Sequence, residues 1–193
     1  MTFLRGFASL ALFCVAASLF GQMTPDAPIK DFRLPRFGDD GYTQWVLQGA
    51  EGIYDSEAQV RVKDMAMRVY SGDERMALEL SMDSPAATLR LQENRGYSES
   101  AIEIVGANFK ISGVGWEWSG ESREIVVRDQ TVVTFTQGIT GAFASAEASA
   151  EAKVTEIRSQ GLRLRTDESG YDFEFIGGVV ARSDEMDLRS EQL

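Results

Sequence analysis

From Tyr42 onward, apolar and polar residues alternate in short runs split by Gly, Asp, Asn or Ser. A period of two puts successive side chains on opposite faces, so the pattern predicts half-buried β-strands. The clearest runs are Val60-Arg61-Val62-Lys63 and Met65-Ala66-Met67-Arg68-Val69-Tyr70, with Asp64 interrupting the alternation between them. A β-bulge at Asp64 would restore the facing. Met76 to Met82 and, beyond Pro85, Ala87 to Leu91 carry an apolar residue at every second position. Shorter stretches of the same kind are Ile102-Glu103-Ile104, Phe109-Lys110-Ile111, Trp116-Glu117-Trp118 and Ile125-Val126-Val127, and Ser71-Gly72-Asp73 and Glu93-Asn94-Arg95-Gly96 supply hairpin turns. Many short antiparallel strands with little helix predict an all-β sandwich or barrel.

Two stretches depart from this pattern. Residues 22–41 are polar and turn-rich, hold three of the four prolines, and read as an extended lead-in to a main β unit at 42–140. Residues 141–153 are rich in Ala, Ser and Glu without alternation, which suits a linker or a short helix. Strand-like alternation returns over 154–193, in Gly161 to Arg165, Tyr171 to Phe175, Val179 to Ala181 and Met186 to Leu188, with Asp167 to Gly170 as a turn. Four short strands are meagre for a separate domain. They are expected to extend the main sheet or to pair with a partner.

The start of the chain changes where the protein is expected to work. A short basic opening with Arg5 precedes an uncharged run from Phe7 to Phe20, the size of a signal-peptide core. Residues 1–21 therefore read as a signal peptide cut after Ser18 or Gly21, with an uncleaved inner-membrane anchor as the alternative. Cys14 lies inside that run after Phe13, where a lipoprotein signal wants Gly or Ala, so lipid attachment there is not expected. A mature chain would have no cysteine and hence neither disulfides nor thiol chemistry. The net charge of −11 and the absence of a basic stripe exclude a nucleic-acid partner.

Catalytic chemistry has little to work with. Without histidine or a mature cysteine, Ser-His triads, Cys-His dyads and histidine- or thiolate-based zinc sites are excluded. Asp39-Asp40, Glu117, Glu174 and Asp184-Glu185 could in principle form a carboxylate pair, but their places in turns and at polar strand positions read as solvated charge. Gly106, Gly113, Gly115, Gly120 and Gly177-Gly178 fit turns and bulges better than a phosphate loop. Trp116 and Trp118 share one strand face, where a buried pair fills a core and an exposed pair stacks on sugars. The most informative feature is the apolar face, formed by Val60, Val62, Met65, Met67, Val69, Met76, Leu78, Leu80, Met82, Leu89, Leu91, Ile102, Ile104, Phe109 and Ile111. Its methionines suit a groove for flexible acyl chains, and equally a packed sandwich core.

Several tracts resemble the periplasmic lipopolysaccharide-transport family (LptC and LptA, OstA-like). Ile29-Lys30-Asp31-Phe32 leading to Gly41 through Tyr54 is similar to the opening of the C component, an extended tract followed by a small-residue turn and an aromatic. Val60 to Tyr70 resembles its next strand, and Ile104 to Trp118 the later pair around an internal glycine. Val154 to Leu162, Phe173 to Ala181 and Met186 to Ser190 are similar to the repeating strand unit of the A component. The resemblance implies a twisted β-jellyroll, open along one seam, that receives acyl chains inside and docks edge to edge with sister jellyrolls. It brings no catalytic residue and no cofactor.

The expected function is thus non-catalytic binding and relay of lipopolysaccharide or a related lipid in the periplasm. The partners expected are other jellyroll components of a transport bridge, reached by edge-strand pairing, and an inner-membrane transporter complex. The expected groove lining is Val60, Val62, Met65, Met67, Val69, Leu78, Leu80, Leu89, Leu91, Ile102, Ile104, Phe109 and Ile111. In so acidic a chain, headgroup contacts are expected to fall on local basic residues such as Arg158, Arg163 and Arg165. The alternative reading is a carbohydrate-binding or structural periplasmic β-sandwich using Trp116 and Trp118.

Overall fold

The structure, a computed structural model, describes residues 28–136, 155–167, 170–183 and 186–190. The expected signal peptide, the Ala-rich segment and Asp184-Glu185 lie outside the described residues. The strands are β1 (Ile29–Phe37), β2 (Thr43–Ser56), β3 (Gln59–Tyr70), β4 (Leu78–Arg90), β5 (Arg95–Val105), β6 (Phe109–Ser119), β7 (Glu124–Phe135), β8 (Thr155–Ser159), β9 (Gly161–Asp167), β10 (Gly170–Ile176), β11 (Val179–Ser183) and β12 (Met186–Ser190). They form one antiparallel sheet in which β1 to β7 pair in sequence order. The free flank of β7 takes β9 on its first half and β8 on its second, after which β9 pairs β10, β8 pairs β11, and β11 pairs β12. Strands β8 to β12 therefore extend the main sheet. The sheet is not closed into a barrel: β1 bounds it at one end, and β10 and β12 at the other. The fold is all-β and jellyroll-like.

Three details correct the expectations from sequence. The strands are long, because runs separated by Asp64 or Pro85 are parts of single strands, β3 and β4. The lead-in is not free chain, since Ile29–Phe37 is an edge strand laid along β2. Phe32 anchors it, its ring crossing Gly49 and Gly52, where an added Cβ would come within 2.8 and 2.7 Å of the ring. Finally, Met76 belongs to the β3–β4 turn with φ +44° and is exposed, and β4 starts only at Leu78.

Asp64 does interrupt the alternation, but not as a bulge. The β2–β3 and β3–β4 registers run unshifted past it, from Gln48↔Ala66 to Glu51↔Lys63 and from Met65↔Ser84 to Lys63↔Ala86. Asp31, Ala50, Asp64 and Pro85 consequently stand level on four neighbouring strands. The same line continues through the register shift between Ser98 and Ala101 to Gly115, then steps two residues along β7, at the register shift between Ser112 and Val114, to Gln130, Gln160 and Gly177. Positive φ angles mark it at Asp31 (49°), Asp64 (49°), Gly115 (67°), Gln130 (52°) and Gly177 (82°), and the other positive-φ residues lie at hairpin turns. A left-handed residue turns an extended chain sharply. Such residues on β1, β3, β6 and β7, together with Pro85 on β4 and the register shifts on either side of β5, crease the sheet.

The crease folds the sheet onto itself. In β3 the inward residues change from Val60 and Val62 to Met65 and Met67, and in β6 from Phe109 and Ile111 to Trp116 and Trp118, so one apolar face continues past the crease. Its two halves become facing layers. Phe109 of one layer meets Tyr171 and Phe173 of the other edge-on at 4.8 and 5.0 Å, and Trp45 meets Trp118 at 6.0 Å. The core between them includes Leu47, Met67, Met82, Ile104, Ile111, Val133 and Leu162. Each fully buried apolar side chain contributes about 1.5–3 kcal/mol relative to exposure.

Candidate functional site

The layer interior holds nearly all of the expected groove lining. Val60, Val62, Met65, Met67, Leu80, Leu89, Ile102, Ile104, Phe109 and Ile111 are buried in one cluster, and Val69 and Leu91 are half-buried against it. Leu78 is the exception. It shares the facing of Leu80 but occupies the first position of β4, where nothing covers it, and it is 54% exposed. Trp116 and Trp118 are buried as well, so neither presents a free face on which a sugar could stack. The interior is filled.

Opposite the crease, where the hairpin turns of the two layers meet, the sheet has a mouth. Its lips are tied by a few polar contacts. Trp45 Nε1 donates to Asn94 Oδ1 at 2.9 Å, Arg123 Nη2 donates to Glu79 Oε2 at 2.8 Å, and the Tyr171 hydroxyl donates to the Glu79 carbonyl at 3.0 Å. A pocket of about 170 Å³ lies there, lined by Gln44, Trp45, Tyr70, Glu79, Asn94 and Arg123 among others. It is smaller than the roughly 300–1,000 Å³ of sites that enclose a drug-sized ligand. Burial pushes the Tyr171 phenol above its ordinary pKa. On the β3–β4 turn, the Arg75 guanidinium and then the Ser71 hydroxyl hold Asp73 down at about 2.

The apolar interior also reaches the surface at the ends of the sheet. At the β1 end Phe32, Leu34, Tyr54 and Leu91 are half-buried, and at the other end Tyr171, Phe173 and Phe175. These residues have inward facing but no further strand to cover them fully. The inward facing of the β1 members is hard to read from the sequence, because Ile29–Phe37 mixes three basic residues with a proline and shows weak alternation.

The basic residues expected to meet a headgroup are already engaged. Arg158 pairs with Glu156, Arg163 with Glu124 and Glu174, and Arg165 with Glu124. The candidate carboxylates are not brought together either. Asp39 and Asp40 lie in the exposed β1–β2 turn, Glu117 is 3.9 Å from Arg128, and Glu174 is bound to Arg163. Among the described residues no group of three or more Asp or Glu could hold a metal ion. Gly115 and Gly177 serve the crease rather than a phosphate loop.

Among the described residues the geometry encloses an apolar interior between two layers and leaves sheet edges at both ends. Compared with known proteins, the chain matches no family model and no curated protein, so its assignment rests on these residues and this fold.

Proposed function

We propose that this protein is a non-catalytic lipid carrier of the lipopolysaccharide-transport kind, holding acyl chains between the two layers of its folded sheet. The observation that carries this reading is the continuity of the apolar face. It runs unbroken from Phe32 and Leu34 on edge strand β1, through the Met-rich core, to Tyr171, Phe173 and Phe175 on edge strand β10. An ordinary sandwich would close such ends with polar side chains or further strands. Here the interior meets solvent at both.

Loading requires the layers to part, because the interior is filled. The lining suits that demand: Met65, Met67 and Met82 are unbranched and adapt to irregular partners. Few polar ties hold the lips together, and most are single hydrogen bonds, each contributing about 0.5–1.5 kcal/mol. The edges β1 and β12, unpaired on their outer sides among the described residues, offer backbone groups to sister jellyrolls or to an inner-membrane complex, so that one apolar interior continues into the next.

Photo-crosslinking residues placed at Met67, Leu80 and Ile104 test the reading in cells. Capture of lipopolysaccharide or a related lipid from these inward sites, and not from the outward Arg61 and Glu103, is the expected result. Capture from the outward sites alone overturns it.

A further inference from the structure

Among the described residues one half-buried cation has no anion. Among the described residues Lys30, Arg33, Arg36 and Arg95 form no ion pair, and of these Lys30, Arg33 and Arg95 are exposed to water. Arg36 is different. It follows Phe32 and Leu34 on the inward side of β1 and is half-buried. Its Nε is buried with no hydrogen-bond partner, and its Nη1 donates only a long 3.4 Å bond to the Leu91 carbonyl on the opposite lip. A guanidinium partly withdrawn from water is costly unless paired. In a chain of net charge −11, with thirty carboxylates available, the sequence nevertheless leaves this site without one.

We infer that Arg36 is an anion-recognition residue at the β1 end of the interior, taking a phosphate group while an attached acyl chain lies along Phe32, Leu34 and Leu91. The inference rests on the lipid-carrier reading for the chain and on Arg36 itself for the phosphate. A guanidinium presents a planar fork of N–H donors that matches two phosphate oxygens at once. Nε and an Nη of one edge form such a fork, and Nε is the atom left unsatisfied. The neighbouring half-buried apolar residues supply the other half of an amphiphile's site. This moves the headgroup contact from Arg158, Arg163 and Arg165, which are neutralised by glutamates, to the one half-buried arginine among the described residues that is not.

The test measures binding of dodecyl phosphate, dodecanol and inorganic phosphate to the full chain by calorimetry, with Arg36→Gln and, as the exposed neighbour on the same strand, Arg33→Gln. Dodecyl phosphate should bind wild type and weaken about tenfold or more in Arg36→Gln. Arg33→Gln should change it less than about twofold and dodecanol should bind all three proteins alike. Should Arg36→Gln bind dodecyl phosphate as wild type does, or should no phosphate compound bind wild type, the inference is overturned; dodecanol binding would still leave the carrier reading standing. Arg36-dependent binding of inorganic phosphate, with no gain from the dodecyl chain and no dodecanol binding, supports the anion site and sinks the carrier reading. Arg36→Lys guards against misfolding: charge without the fork should bind dodecyl phosphate several-fold more weakly than wild type but better than Arg36→Gln. A lowered denaturation midpoint in Arg36→Gln together with lost dodecanol binding would mark Arg36 as a structural prop and overturn the inference.

Discussion

Asp64 on β3 stands level with Pro85 on β4, and the sheet creases where they meet. Each residue solves the same local problem differently. Asp64 takes a left-handed backbone, which Asp tolerates better than β-branched residues do. Pro85 lacks an N–H, and the β4–β5 ladder is interrupted beside it, between Asp83 and Thr88. The bend thus falls where neither residue has to complete a regular ladder.

Asp64 supplies the first prediction. Its φ of 49° is strained for most side chains, and Asp64 itself is exposed. Asp64→Gly should be neutral or stabilising by up to about 1 kcal/mol, whereas Asp64→Val should cost about 1–3 kcal/mol. Urea denaturation of the two variants gives the comparison. Equal stability would mean that the crease does not depend on a left-handed residue at this level.

Ser84, next to Pro85, ties the crease together. Its hydroxyl accepts the Trp116 Nε1 hydrogen bond at 3.2 Å from the facing layer and donates to the Ala101 carbonyl at 2.7 Å, with the Ala86 carbonyl 3.0 Å away. Ser84→Ala strands a buried indole N–H and should cost about 1–3 kcal/mol. A red-shifted tryptophan emission, from water reaching the ring, should accompany the loss. Unchanged denaturation and emission would show that Trp116 finds another acceptor.

The inward and outward positions within each strand were legible in the sequence, because a period of two is a direct consequence of the pleat. Val60 and Val62 or Ile102 and Ile104 could be placed on the core side from spacing alone. The crease was visible only as noise: Asp64 looked like a one-strand irregularity, and its alignment with Ala50 and Pro85 depends on register, which alternation does not encode. Leu78 was misplaced because periodicity gives the facing of a residue but not whether the opposite layer reaches far enough to cover it. Arg36 was invisible for a related reason. Its half-burial and its missing counter-ion are set by the lip around Leu91, 55 residues away.

Phe109 discriminates a packed interior from a standing groove. It is buried and touches Tyr171 and Phe173 of the facing layer edge-on. In a packed interior Phe109→Ala leaves a cavity and should cost about 3–5 kcal/mol. A residue lining an already open groove loses much less, so a cost below about 1 kcal/mol would indicate that the layers stand apart in solution.

Tyr171 makes the stability of the mouth depend on alkaline pH. Burial raises the phenol's pKa, with the Glu79 carboxylate adding to the shift and Arg123 opposing it. The folded protein therefore holds the phenolic proton more tightly than the unfolded chain, whose tyrosines titrate near pH 10. The unfolded state binds fewer protons across that window, so stability is fully present below about pH 10 and falls as pH rises through the higher folded value. Ionisation also removes the proton that Tyr171 donates to the Glu79 carbonyl across the lips. Tyr171→Phe should lose that hydrogen bond, about 0.5–1.5 kcal/mol at neutral pH, but should escape this alkaline decline. The two stability curves should therefore converge above pH 10 in parallel denaturation series. Curves that stay parallel through that range would show that the phenol is already in contact with water and that the lips are open.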